Sequence, residues 1–228
     1  MGALAWDAAK RSWRDGNGRL LTPRQIAKLR DDLAAEVASL IRQETETFLA
    51  GDIELAAWRR NVERFIAEGT GSGYAFGRGG LANMTDGDYD RLARLLSEQT
   101  DVFGRFVAEV DAGNLSGAQI AARAETYAGA SVNAFEQAQH QAAIGDSAAD
   151  WELPCYPADG ETDCLANCRC AWDIVEDETG WTATWIAEND DRTCPGCTQR
   201  SDLYGPTNPL RFPKPVDEQP DAMTGMAA

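Results

Sequence analysis

All six cysteines of the 228-residue chain fall between Cys155 and Cys197, and the first 154 residues contain none. Their order is Cys155, Cys164, Cys168 and Cys170, then Cys194 and Cys197. Zinc takes four thiolate or imidazole ligands at tetrahedral angles, and a Cys-x2-Cys step supplies two sulfurs from one tight turn. Cys194-Pro195-Gly196-Cys197 is such a step, and its Pro-Gly favours a knuckle with amides turned inward. The second pair comes from the cluster Cys164, Cys168 and Cys170. The expected ligands of a structural Zn2+ are therefore Cys164, Cys168, Cys194 and Cys197, with Cys170 and Cys155 as alternates. Cys155 is the expected spare, being farthest from the tight cluster. Two other fates of the thiols stay open. Six cysteines can make three disulfides in an oxidising compartment. Cys-Pro-Gly-Cys can also be a redox dithiol, a role that favours a βαβ context, whereas this motif follows a hairpin.

The other residue types that carry chemistry are sparse. His140 is the only histidine, which excludes His-rich metal sites and the HExxH arrangement. Late in a helix, it reads as a solvent-facing residue or a partner of the helix C-terminus. The segment Gly69 to Gly80 is rich in glycine, but it follows a helix rather than a strand and lacks a Gly-Lys-Ser/Thr ending. No nucleotide site is expected there; a connector, or a glycine-rich helix allowing close packing, fits better. A formal charge of −16, from 37 acidic against 21 basic residues, does not suit a surface that coats phosphates. No run of 18 apolar residues offers a membrane span, and the opening residues lack the apolar core of a secretory signal.

The elements that must hold the cysteines divide near 148. Residues 1–148 read as a helical domain, 149–212 as a Cys-rich β-hairpin module, and 213–228 as a Pro-rich tail expected to be disordered. Thr22-Pro23-Arg24-Gln25 is a capping box with proline at the first helical position. Ile26, Leu29, Leu33, Val37, Leu40, Ile41 and Phe48 follow at helical spacing, and Gly51 stops the run. Asp52 can cap a second helix carrying Leu55, Trp58, Val62, Phe65 and Ile66, with its end expected at Gly69. Thr85 with Asp88 opens a third helix, and Ser116 with Gln119 opens a fourth running toward Ile144. Cys170–Val175 and Trp181–Ile186 alternate like strands around the turn signal Glu176–Gly180. Trp181 and Trp185 fall on one face of that hairpin; packing of the hairpin's three indoles on the chain's own helices or on the zinc knuckle is the favoured reading, and the sharper alternative leaves Trp185 exposed as an anchor for a partner.

Cys164-Leu165-Ala166-Asn167-Cys168-Arg169-Cys170 resembles the C-L-x-N-C-R-C signature near the C-terminus of tailed-phage minor head proteins, the Mu F-like head morphogenesis family. Leu153–Gly160, Cys194–Cys197 and Leu203–Leu210 look like parts of the same module. Trp58, Gly77–Gly80, Gln99–Phe106 and Ile120–Tyr127 resemble the family's helical region more loosely. The resemblance implies a bacteriophage virion structural protein, not an enzyme, found in the virion and, during assembly, in the host cytoplasm. It implies portal or capsid proteins as partners, with packaged DNA at most a secondary contact and no membrane. Two further readings are a zinc-ribbon adaptor that grips a protein partner through the Trp-rich hairpin, and a Cys-based redox enzyme.

Overall fold

A computed structural model describes residues 4–144, 153–157, 170–187 and 193–213. The expected domain boundary near 148 and the tail beyond 213 lie outside the described residues, as do Cys164 and Cys168. The described chain is mainly helical, with two small antiparallel sheets.

Three of the helix starts follow directly from local chemistry. α1 (Pro23–Leu49), α3 (Asp86–Asp111) and α4 (Gly117–Thr126) each open on a reciprocal capping box, at Thr22/Gln25, Thr85/Asp88 and Ser116/Gln119. Each box satisfies amides that the first turn otherwise leaves without partners. α2 (Leu55–Gly77) starts differently: Glu54, not Asp52, is its N-cap, and no side chain caps it. The expected fourth helix is two helices, α4 and α5 (Gly129–Ile144), broken at Tyr127 and Ala128.

The expected end of α2 at Gly69 is also wrong, and the reason lies in packing. The helix runs on through Gly69, Gly73 and Gly77, which stand four residues apart on one face. A Cβ built on Gly73 would sit 2.2 Å from the carbonyl oxygen of Ser131, and one on Gly77 2.4 Å from that of Phe135. Both carbonyls belong to α5, so the glycines let two backbones approach to a distance no side chain permits. Glycine's low helix propensity is about 1 kcal/mol per residue, and the close approach to α5 at Gly73 and Gly77, with Gly69 seated against Val37 of α1, outweighs it. The glycine-rich segment is therefore a helix interface, with Gly73 and Gly77 buried.

α5 consequently runs through the middle of the bundle, with Ala128 to Glu136 buried in an unbroken run. The main core gathers Ile41, Trp58, Val62, Phe103, Phe106, Ile120 and Tyr127 from α1 to α4 and the α4–α5 break. Trp58 stacks on Phe48 at 4.9 Å, and its indole N–H donates to the Thr45 hydroxyl at 3.1 Å. A second knot holds α2 to α3. The buried Asp88 carboxylate accepts from the Tyr74 hydroxyl, from Arg78 and from the Thr85 amide.

The first hairpin, β1 (Ala5–Asp7) with β2 (Ser12–Arg14), has no counterpart in the sequence reading. Trp6 lies over Gly79, whose φ of +83° and lack of a side chain make the seat. Trp13 donates its indole N–H to the carbonyl of Phe76 at 3.1 Å. The expected second hairpin is present as β3 (Ala171–Glu176) and β4 (Gly180–Ile186), with Trp172 directly opposite Trp185. A third strand, β5 (Leu210–Pro213), pairs with β4, and α6 (Pro195–Tyr204) connects them.

Candidate functional site: a thiol core clamped to the helices

Cys155, Cys170 and Cys197 are buried in one small core with Leu153, Trp172, Ala183, Trp185 and Ala187, and Cys194 packs against it. Its parts come from four places in the chain. Cys170 immediately precedes β3. Cys155 is brought in by the Trp172 indole N–H, which donates to its carbonyl at 2.8 Å. Trp172 and Trp185 meet edge to face at 5.3 Å, and Tyr204 of α6 closes on Trp172 at 5.9 Å. Arg200 of α6 lies over the Trp185 ring and donates to the Tyr156 carbonyl at 3.3 Å.

The Cys-Pro-Gly-Cys step is the start of a helix. Cys194 is the N-cap of α6, Pro195 holds the first helical position, and the Cys197 amide donates to the Cys194 sulfur at 3.4 Å. Both sulfurs therefore belong to a single helical turn. Of the four expected ligands, the structure places Cys194 and Cys197 at this turn. The alternates Cys155 and Cys170 share their core, so the expected spare, Cys155, is an integral part of it. Among the described residues, no three Cys, His, Asp or Glu side chains converge closely enough to hold a metal ion. One orphaned group bears on the fit of a metal here. The Trp185 indole N–H is buried in this core without an acceptor among the described residues, and a metal-bound thiolate would supply one.

Of the two readings of the hairpin indoles, the structure supports burial within the chain and removes the alternative of Trp185 as an exposed anchor. Trp185 is 0% exposed, and Trp172 and Trp181 are buried as well. A two-stranded ribbon cannot cover three indoles; β5, α6 and the segment at 153–157 do so within the chain.

The core is tied to the helical bundle by a buried ion pair that sequence reasoning missed. Arg30 of α1 and Glu136 of α5 are 2% and 3% exposed and bonded to each other. Arg30 also donates to the Cys170 carbonyl at 3.3 Å, and Glu136 accepts the Trp172 amide. Burial pushes the Glu136 carboxyl above its ordinary range, and the Arg30 charge opposes that push. A signal for Arg30 was available: it lies four residues after Ile26 and seven before Val37, on the apolar stripe of α1 where a charge needs a partner.

His140 is likewise buried, 1% exposed, contrary to its expected solvent-facing position. Its Nδ1 lies 3.0 Å from the Tyr156 hydroxyl, which links the end of α5 to the thiol core. Burial, with a smaller contribution from Arg91, lowers its pKa to about 4. The native state thus holds the imidazole neutral, while the unfolded chain protonates near its ordinary value of about 6.5. Below that value the unfolded state binds more protons, so the contribution of His140 to stability falls between about pH 6.5 and pH 4, by roughly 3 kcal/mol in all. Glu136, whose pKa is raised, acts in the opposite sense. Chemical denaturation of the wild type and His140→Gln across this window should show that loss in the wild type only; parallel profiles would contradict it.

Comparison with protein-family models, with curated proteins and with solved structures gives no match for this chain. Among the described residues, no helix is long and apolar enough to cross a membrane.

Proposed function

We propose that this chain is a virion structural protein of a tailed phage, a minor head protein acting at the portal vertex or in head assembly. The observation that carries this reading is the Cys-Leu-Ala-Asn-Cys-Arg-Cys run from Cys164 to Cys170. Its last cysteine gives its carbonyl to Arg30, and the Glu136 paired with Arg30 accepts the Trp172 amide two residues on, so the Cys-rich module is fastened to the helical body there. A signature placed at such a junction suits a module that fixes the shape of an assembly component. The chain's acidity suits partnership with the basic or polar surfaces of portal and capsid proteins, and leaves packaged DNA a secondary contact. The adaptor reading is weaker, because the indoles it would use are buried in the chain's own core. Sedimentation of the purified chain with assembled portal tests the role: co-migration at a fixed ratio is expected, and independent migration contradicts it.

In this reading the Cys-rich module is zinc-ribbon-like and holds a structural Zn2+. Cys194 and Cys197 furnish the helix-borne pair, and the remaining ligands come from Cys164 and Cys168, with Cys170 and Cys155 as alternates. Zinc would stabilise a small module whose core is limited by its size. Protein purified from a reducing cytoplasm should contain about one zinc per chain, on the single-site stoichiometry of such modules. Protein without zinc would remove the metal from the account and leave the virion role to be decided by the portal experiment.

A further inference from the structure

Between α3, α5 and the segment at 153–156 lies a cavity of about 280 Å³. Leu95, Glu98 and Gln99 of α3 line one wall, and Asn133 and Gln137 of α5 the other. A water occupies about 30 Å³ of liquid volume, so the space exceeds what one bridging water fills. It lies near the lower end of ligand pockets, about 300 Å³, and suits one residue-sized group. Asn133 is 7% exposed, and its Oδ1 accepts from Gln137 Nε2 at 2.7 Å. Whichever way the two amides are turned, that bond leaves one NH2 group and one carbonyl oxygen without a partner among the described residues. A buried amide in that condition carries a desolvation penalty that a ligand would relieve. Glu98 and Gln99 likewise make no hydrogen bond or ion pair with any described residue. The cation one turn before Leu95, Arg91, is turned to Asp88 at 3.7 Å.

The described lining therefore holds a carboxylate, two amide carbonyls and two NH2 groups awaiting partners, and no basic residue. Its complement is a cation with several N–H donors and at least one acceptor. A guanidinium supplies the donors: its planar fork meets a carboxylate with two parallel bonds and keeps further N–H groups for amide carbonyls. Its methylene stem would lie along Leu95 and Leu153, as arginine stems do on apolar surface. A carbonyl beside that stem would accept from the NH2 groups. We propose that this cavity binds an arginyl group, with its guanidinium on Glu98 and its carbonyl on the Asn133–Gln137 pair. The group comes either from a free arginine derivative or from an arginine presented by a partner protein. The site stands independently of the virion role.

The test titrates the full, nitrogen-15-labelled chain with L-argininamide and with the capped tripeptide acetyl-Gly-Arg-Gly-amide. Nuclear magnetic resonance follows the side-chain NH2 signals of Gln99, Asn133 and Gln137. Salt of about 0.15 M screens the diffuse attraction of cations to the acidic surface. Saturable shifts centred on these signals are expected. Tighter binding of argininamide assigns the site to a free ligand, and tighter binding of the tripeptide to a partner's arginine. Lysinamide should bind roughly fivefold more weakly than argininamide, because an ammonium lacks the planar fork. Glu98→Gln alters an exposed side chain, so the fold should stand, and it should weaken both arginine probes by roughly fivefold or more. No saturation by either arginine probe, equal binding of lysinamide, or undiminished binding to Glu98→Gln overturns the proposal.

Discussion

Gly73→Val is expected to abolish folding of the helical body. The new side chain would begin 2.2 Å from the backbone carbonyl oxygen of Ser131 and 3.2 Å from its Cα. Neither atom belongs to a flexible side chain, so α2 and α5 must part along their whole interface. Overpacking that backbone cannot relieve costs about 3 kcal/mol or more, a large share of the stability of any single domain. Gly71→Ala is the matched control. It lies in the same helix, nothing stands within 4 Å of its Cβ position, and alanine should stabilise the helix by roughly 0.5–1 kcal/mol. Thermal melts followed by circular dichroism would read both. A folded Gly73→Val protein with an unchanged melting temperature would refute the close α2–α5 packing on which the fold rests.

The second large effect concerns the clamp between bundle and thiol core. Glu136→Ala leaves the buried Arg30 guanidinium with only the exposed Asp31, 2.8 Å away, as counter-charge, and Arg30→Ala takes from the buried Glu136 the guanidinium it is bonded to. Removing one partner of a buried pair typically costs about 3–5 kcal/mol, whereas replacing both with apolar residues of similar volume is often close to neutral. Denaturant unfolding should therefore show two strongly destabilised single variants and substantial recovery in Arg30→Met/Glu136→Leu. The loss should also reach the thiol core, because Arg30 holds the Cys170 carbonyl and Glu136 the Trp172 amide. Faster alkylation of Cys170 and Cys197 in the single variants would report that loosening. Single variants with unaltered stability and unaltered cysteine protection would contradict the clamp.

Local signals were legible and distant ones were not. The boxes at Thr22, Thr85 and Ser116 are written within four residues each, and all three open helices where the spacing places them. The alternation through Trp172 and Trp185 likewise marks its hairpin correctly. The continuation of α2 through its glycines depends on Val37 of α1 at Gly69 and on α5, some sixty residues away, at Gly73 and Gly77, and no short window on the sequence contains them together. The same holds for β5, which becomes a strand only by pairing with β4. The candidate site divides along that line. Spacing identified Cys194 and Cys197 as a pair, but not that they open a helix. The burial of Cys155, His140 and Trp185 in and around one core is decided by tertiary contacts. The Arg30–Glu136 pair spans 106 positions in sequence, and only the misplaced charge on the stripe of α1 hinted at it.

The central claim, a structural role in the phage head, is tested most directly by quantitative mass spectrometry of gradient-purified heads assembled with and without portal. The account predicts this chain in portal-bearing heads at a fixed ratio to portal, and its loss from heads that lack portal. A chain that stays with the free protein at the top of the gradient, and is missing from portal-bearing heads, would contradict it.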